Sequence, residues 1–221
     1  MGKPIEETSD RLTGRLEALL LALVLVVTFH SVPVWVFSIL PAQQNYDRLG
    51  SNGYGMLYYA ISGVMPLILC LATPSRSGLK LGIYRGQTLK VIGICALPIV
   101  LTGIIYPFTS RPFAGAGTGI WLVSPAAQDL LFAGYLYGLF EAVFPGTVHP
   151  RLRLQRAVLL TPIFFALWHT PNFGGMAASY VSFQLLYTMI GGAWMLLARQ
   201  LTGSVIPGIL THMSCNFISV L

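Results

Sequence analysis

Long apolar runs separated by short polar and basic segments dominate this chain. A membrane-crossing helix needs about 20 apolar residues. Seven runs approach that length: 17–40, 54–73, 88–108, 120–144, 157–172, 178–200 and 203–221. The fifth is short and the fourth is long. No stretch alternates apolar and polar residues as a half-buried strand does, and no soluble domain, low-complexity run or convincing repeat intervenes. The pattern predicts an all-α, polytopic transmembrane helix bundle of about seven spans, forming a single integral membrane domain over 1–221. Prolines 33, 66, 98, 125, 162 and 207 punctuate the spans. Membrane helices tolerate them because neighbouring groups re-satisfy the freed carbonyls. Ser124-Pro125 predicts the start of the fourth helix, with Ser as N-cap and Pro at the first helical position. Gln128 and Asp129 then fall in about its first turn, where the helix dipole favours an anion.

Composition supports the same class. Hydrophobic residues make up 55% and charged residues only 9% of 221, against about 25% charged in a soluble domain. The positions of the basic residues set orientation. With the N-terminus inside, the inner segments hold Lys3, Arg11, Arg15, Arg76, Lys80, Arg85, Lys90, Arg151, Arg153, Arg156 and Arg199, and the outer ones only Arg48 and Arg111. This alternation accounts for the net charge of +6 and excludes nucleic acid as a partner, leaving the lipid bilayer. The mixed charges near the N-terminus and the long run that follows favour a first span over 19–40 acting as signal anchor rather than a cleaved peptide. Short loops and inner charge suit a multi-pass protein of a bacterial inner membrane. Cys70, Cys95 and Cys215 lie within apolar runs with no CxxC-type spacing and read as small apolar side chains.

The candidate chemistry lies where polar residues interrupt these runs. An ionisable group at the centre of a span costs about 2.5–3.5 kcal/mol to insert. Asp129 is the only acid so placed. Glu141, twelve residues on, is rotated by about 120° and reaches toward the interface. His169 follows Phe165 by four residues and shares its face. Pro171 places it near a helix end, where free carbonyls also offer a plain structural role. His212 and Asn216 are likewise four apart, and together they offer an imidazole and a carboxamide suited to a developing oxyanion. Cys215 beside His212 invites a Cys–His nucleophile, a weaker reading than a core cysteine. His30 stands alone with no motif around it. Gly134-x-x-x-Gly138 predicts close helix packing next to Asp129.

These residues resemble the CPBP intramembrane proteases, the CAAX-protease/Abi family that includes the type II CAAX prenyl endopeptidases. The family pattern is Glu-Glu-x-x-x-Arg, then Phe-x-x-x-His, then His-x-x-x-Asn or His-x-x-x-Asp on separate helices. Phe165 to His169 and His212 to Asn216 match the second and third, and the resemblance covers about 119–221. The first motif departs from it: Gln128 and Asp129 stand for the two acids and Ala133 for the arginine. Glu-Glu with Arg and Gln-Asp with Ala both sum to −1. The joint loss of acid and base avoids an unpaired buried cation.

The resemblance implies an intramembrane endopeptidase acting on membrane-associated proteins or peptides. Asp129 would be the general base, Gln128 would position water, His169 would assist, and His212 with Asn216 would stabilise the oxyanion. Two imidazoles and a carboxylate also form a set that binds zinc, so His169, His212 and Asp129 are the metal ligands if there is one. Two other classes stay open. One is a non-catalytic membrane chaperone or regulator of the same family, prompted by the altered first motif. The other is a small transporter with a polar pathway, against which stands the lack of further ionisable residues and of matched halves.

Overall fold

The chain is described here by a computed structural model covering residues 4–39, 42–80, 87–108, 117, 119–149, 151 and 153–220. It is an all-α membrane bundle. Helices α1 (Pro4–Ile39), α2 (Ala42–Ala72), the short α3 (Pro74–Ser77) and α4 (Thr88–Ile105) form the first half. Residues 119–143 then run as one continuous helix of mixed geometry. Gly119–Val123 is π-helical, α5 (Ser124–Asp129) is α, Leu130–Leu136 is π again, and α6 (Tyr137–Val143) ends it. After it come a hairpin of β1 (Thr147–His149) and β2 (Leu154–Gln155), then α7 (Arg156–Leu167), a 3-10 turn (Thr170–Gly174), α8 (Ala178–Thr202) and α9 (Ile206–Val220). Each of the seven apolar runs overlaps helical structure, with α1 and α2 starting well before theirs.

Among the described residues, four helical stretches are long and apolar enough to cross a membrane: Leu12–Ile39, Gly53–Ala72, Thr88–Phe108 and Ala178–Thr202. The α7 helix has 12 residues and α9 has 15, so they rise only about 18 and 22 Å. Each alone is shorter than the hydrocarbon layer of about 30 Å.

The basic residues assigned to inner segments gather at one end. The Arg15 guanidinium lies 5.7 Å from the Phe144 ring centroid. Arg199 donates to the Arg76 carbonyl, Gln200 to the Arg153 carbonyl and Arg156 to the Pro145 carbonyl. Ser204 donates to the Lys80 carbonyl. At the other end Gly119 backs onto Gly55, and Trp121 packs edge-on to Phe217. Lys3, Arg85 and Arg111 lie outside the described residues, as do the side chains of Arg11 and Arg48.

The 119–143 helix is the axis of the core. Leu131, Leu136, Tyr137 and Phe140 are fully buried, against Phe29 of α1, Phe164 and Phe165 of α7, Leu196 of α8 and Ile209 of α9. The predicted small-residue packing holds at this axis. A methyl group on Gly134 would sit 2.8 Å from the Cys70 sulfur, and one on Gly138 would sit 2.5 Å from the Arg76 carbonyl oxygen. Only glycine lets α2 and α3 approach so closely.

One expectation is corrected. Ser124 does not cap a helix beginning at Pro125. Val123 is already helical, and the Ser124 hydroxyl accepts from the Gln128 carboxamide. Pro125 has no N–H to offer the preceding turn, and that turn is widened to π geometry instead of ending. Asp129 therefore lies ten residues into the helix, about 15 Å along it, rather than in a first turn.

Candidate active site

Asp129 sits where the helix changes from α to π. Such insertions widen a turn and re-aim side chains. Carbonyls of this stretch accept side-chain donors from two neighbouring helices. The Cys70 thiol of α2 donates to the Leu130 carbonyl over 3.1 Å, and Arg199 Nε of α8 donates to the Ala133 carbonyl over 3.3 Å. The acid is thus carried on backbone pinned from both sides.

His212 of α9 meets it. Its Nδ1 lies 3.3 Å from Asp129 Oδ2 and 3.4 Å from Oδ1. One N–H shared between two carboxylate oxygens is long for a hydrogen bond, so lone pairs remain for a third partner. For a hydrogen bond to an ionised carboxylate, Nδ1 must carry the hydrogen. Both side chains are largely enclosed, with 12% and 7% of their surface exposed. Asn216 lies one turn further along α9 and is partly buried.

His169 is brought to the same neighbourhood by a different route. It follows the end of α7 and is buried, and its Nδ1–H donates to the Phe165 carbonyl over 2.9 Å. It bonds the backbone rather than the carboxylate. The Phe165 ring lies edge-on to both imidazoles, with centroids 5.2 Å from His169 and 5.8 Å from His212. Gln128 is buried and points along its own helix, donating to Ser124 Oγ over 2.6 Å. Tyr59 also hydrogen-bonds Ser124, which extends the polar chain. Cys215 faces α4, in hydrogen-bond contact with Thr102. Glu141 is at the exposed end, accepting from Gln155.

A cavity of about 20 Å³ adjoins the carboxylate. Its wall includes Asp129, Ala133, Thr161, Phe165, Gly192 and Gly208. Small residues leave the space open, since a methyl on Gly192 would press to 3.1 Å from the Phe165 ring.

Two features were missed in the sequence. Arg199, counted above as an inner loop charge, is buried with 6% exposure. Its guanidinium bonds the Ala133 and Arg76 carbonyls and lies 5.2 Å from the Tyr137 ring centroid. The turn that has Ala133 in place of a motif arginine thus receives a guanidinium from α8. The available signal was an arginine flanked by Leu196, Leu197 and Leu201 within an apolar run. Thr161 was the second, one of many threonines in spans, and nothing marked it out.

The donor set fits a metal poorly. Among the described residues, no three His, Cys, Asp or Glu side chains stand close enough to hold an ion. Asp129 and His212 supply two donors, and His169 does not close a third position beside them.

Residues 110–218 match the family model described as "Type II CAAX prenyl endopeptidase Rce1-like". This region contains Asp129, His169, His212 and Asn216. No curated protein and no solved structure matches the chain.

Proposed function

Through residues 110–218 this chain belongs to the CPBP/CAAX prenyl protease family, and on that premise we propose that it is an intramembrane endopeptidase hydrolysing peptide bonds of membrane-associated proteins or peptides. The observation that carries the reading is the Asp129–His212 contact between α5 and α9 beside a cavity in the core.

The proposed reaction places a water against Asp129. As its oxygen bonds to the scissile carbonyl carbon, its proton passes to the Asp129–His212 pair. Nδ1–H faces the carboxylate, and a hydrogen carried on Nε2 makes that atom a donor as well. Nε2–H and the Asn216 carboxamide then stabilise the oxyanion. Collapse breaks the C–N bond and returns the proton to the leaving nitrogen. His169 fixes Phe165, the ring against which His212 rests. Gln128, bonded to Ser124, buttresses the helix carrying Asp129 rather than handling water.

A panel in lipid nanodiscs tests this: wild type, Asp129→Asn, His212→Ala, His169→Ala and Gln128→Glu, assayed on an internally quenched farnesylated CAAX peptide. Loss of cleavage in the Asp129 and His212 variants supports hydrolysis here, and equal cleavage by all five sinks it. The replaced first acid favours a second reading, a non-catalytic peptide-binding member. Binding of the same peptide without turnover by the wild type identifies that case.

A further inference from the structure

Thr161 lies in the middle of α7 with 1% of its surface exposed. A threonine hydroxyl buried in a helix ordinarily donates to the carbonyl one turn back, as Thr188 and Thr202 do in α8. Among the described residues, the Thr161 hydroxyl has no hydrogen-bond partner. A buried hydroxyl left in that state loses about 1–3 kcal/mol, so its presence calls for a partner.

The cavity beside Asp129 supplies the place for one. Thr161 and Asp129 carry the hydrogen-bonding side chains of its wall, and the rest is Phe, Ala, Pro, Gly, Met and Leu. Its volume of about 20 Å³ exceeds the roughly 10–15 Å³ that a single water needs. The Asp129 oxygens are only loosely engaged by His212, at 3.3 and 3.4 Å, and so retain accepting capacity toward the cavity.

We infer that Thr161 and Asp129 together cradle the one water that this site consumes, Thr161 acting as a positioning residue for the nucleophile. The inference rests on the endopeptidase reading. Left without a partner among the described residues, the Thr161 hydroxyl gives its hydrogen to the water oxygen. The water gives one hydrogen to Asp129. One lone pair of the water is then left for the peptide carbonyl. When that lone pair forms the C–O bond, the O–H bond to Asp129 breaks and its proton stays with the carboxylate. The Thr161 O–H is neither formed nor broken.

The test has an activity arm and a water arm. On the quenched farnesylated peptide in nanodiscs, Thr161→Val, which keeps the shape and removes the hydroxyl, lowers kcat about 10–30-fold with KM unchanged, the pattern for a group acting on the reacting water. Thr161→Ser restores most of the rate. A Thr161→Val variant with full kcat, or a Ser variant no better than Val, overturns the positioning role. In the water arm, wild-type protein labelled with carbon-13 threonine is read by water-edited solid-state NMR. The Thr161 resonance is identified by its loss in Thr161→Val. Transfer from water to Thr161 is expected, and its absence overturns the site. If the wild type cleaves nothing, the endopeptidase reading fails while the water arm still decides the site. If Thr161→Val does not fold, the Ser variant and the wild-type spectrum decide it.

Discussion

The helices before residue 110 and the helix from 119 to 143 solve opposite problems with similar composition. In α1, α2 and α4 large apolar residues point outward: Val24, Trp35, Ile68, Leu71, Ile92 and Ile104 all have more than half their surface exposed. Lipid is as apolar as those side chains, so nothing drives them inward. From Ser124 to Phe140 nearly every position is buried, including Ser124, Gln128 and Asp129. The first group is a jacket. The second is an axis whose polar groups persist because other helices meet their hydrogen bonds. The lesson is that hydropathy locates both, while burial separates the lipid-facing wall from the working interior.

The sharpest way to break this contrast is at Asp129. Asp129→Asn keeps size and removes the proposed base, and its kcat/KM on the farnesylated peptide should fall about 10³-fold. That equals roughly 4 kcal/mol of transition-state stabilisation. Circular dichroism should be unchanged. An active Asn variant would mean that the buried acid is only structural.

Next in size is Arg199. Replacing it by Met leaves the Ala133 and Arg76 carbonyls without their side-chain donor. At about 1–3 kcal/mol for each buried group left unpaired, stability should fall by roughly 3 kcal/mol in steric-trapping or SDS unfolding. Arg199→Lys should fall between, since one ammonium lacks the planar fork that reaches both carbonyls. A Met variant as stable as wild type would remove the guanidinium from the account of how the axis is pinned.

How much of this was legible beforehand follows from the same contrast. The helices were readable because a run of apolar residues is enough to demand one in lipid. Asp129, His169, His212 and Asn216 stood out because polar groups in such runs are rare. The meeting of Asp129 with His212 was only implied by the family pattern, since it depends on how α9 crosses α5. The Ser124-Pro125 signal misled because its rule comes from helix starts in water. Within the bundle, the chain absorbs Pro125 by widening a turn. Arg199 was misread because the positive-inside rule counts charges by position along the chain. A guanidinium at the inner end of a span fits that rule whether it faces water or bonds two carbonyls. Thr161 carried no signal, because an unpartnered hydroxyl is a property of packing.

A smaller effect is expected where jacket meets axis. Gly138→Ala places a methyl group 2.5 Å from the Arg76 carbonyl oxygen, and backbone must shift to admit it. Overpacking of this kind costs about 1–3 kcal/mol, so unfolding should ease by roughly 2 kcal/mol. Activity should fall less than in Asp129→Asn, because Gly138 lies about 13 Å along the helix from the acid. An unaltered Ala variant would show that α3 is free to move and that the close approach is not needed.

The smallest effect tests the jacket itself. Ile104 of α4 has 57% of its surface exposed, and its neighbour in that direction is lipid. In a water-soluble protein, cutting a buried Ile to Ala costs about 2–5 kcal/mol because apolar surface and packing are lost together. Here lipid chains close over the gap and the side chain has apolar surroundings in both folded and unfolded states. Ile104→Ala should therefore change stability by less than about 0.5 kcal/mol, and activity not at all. A loss of 2 kcal/mol or more would mean that this face is covered by protein in the membrane. The first half would then be an interface, and its separation from the axis would no longer hold.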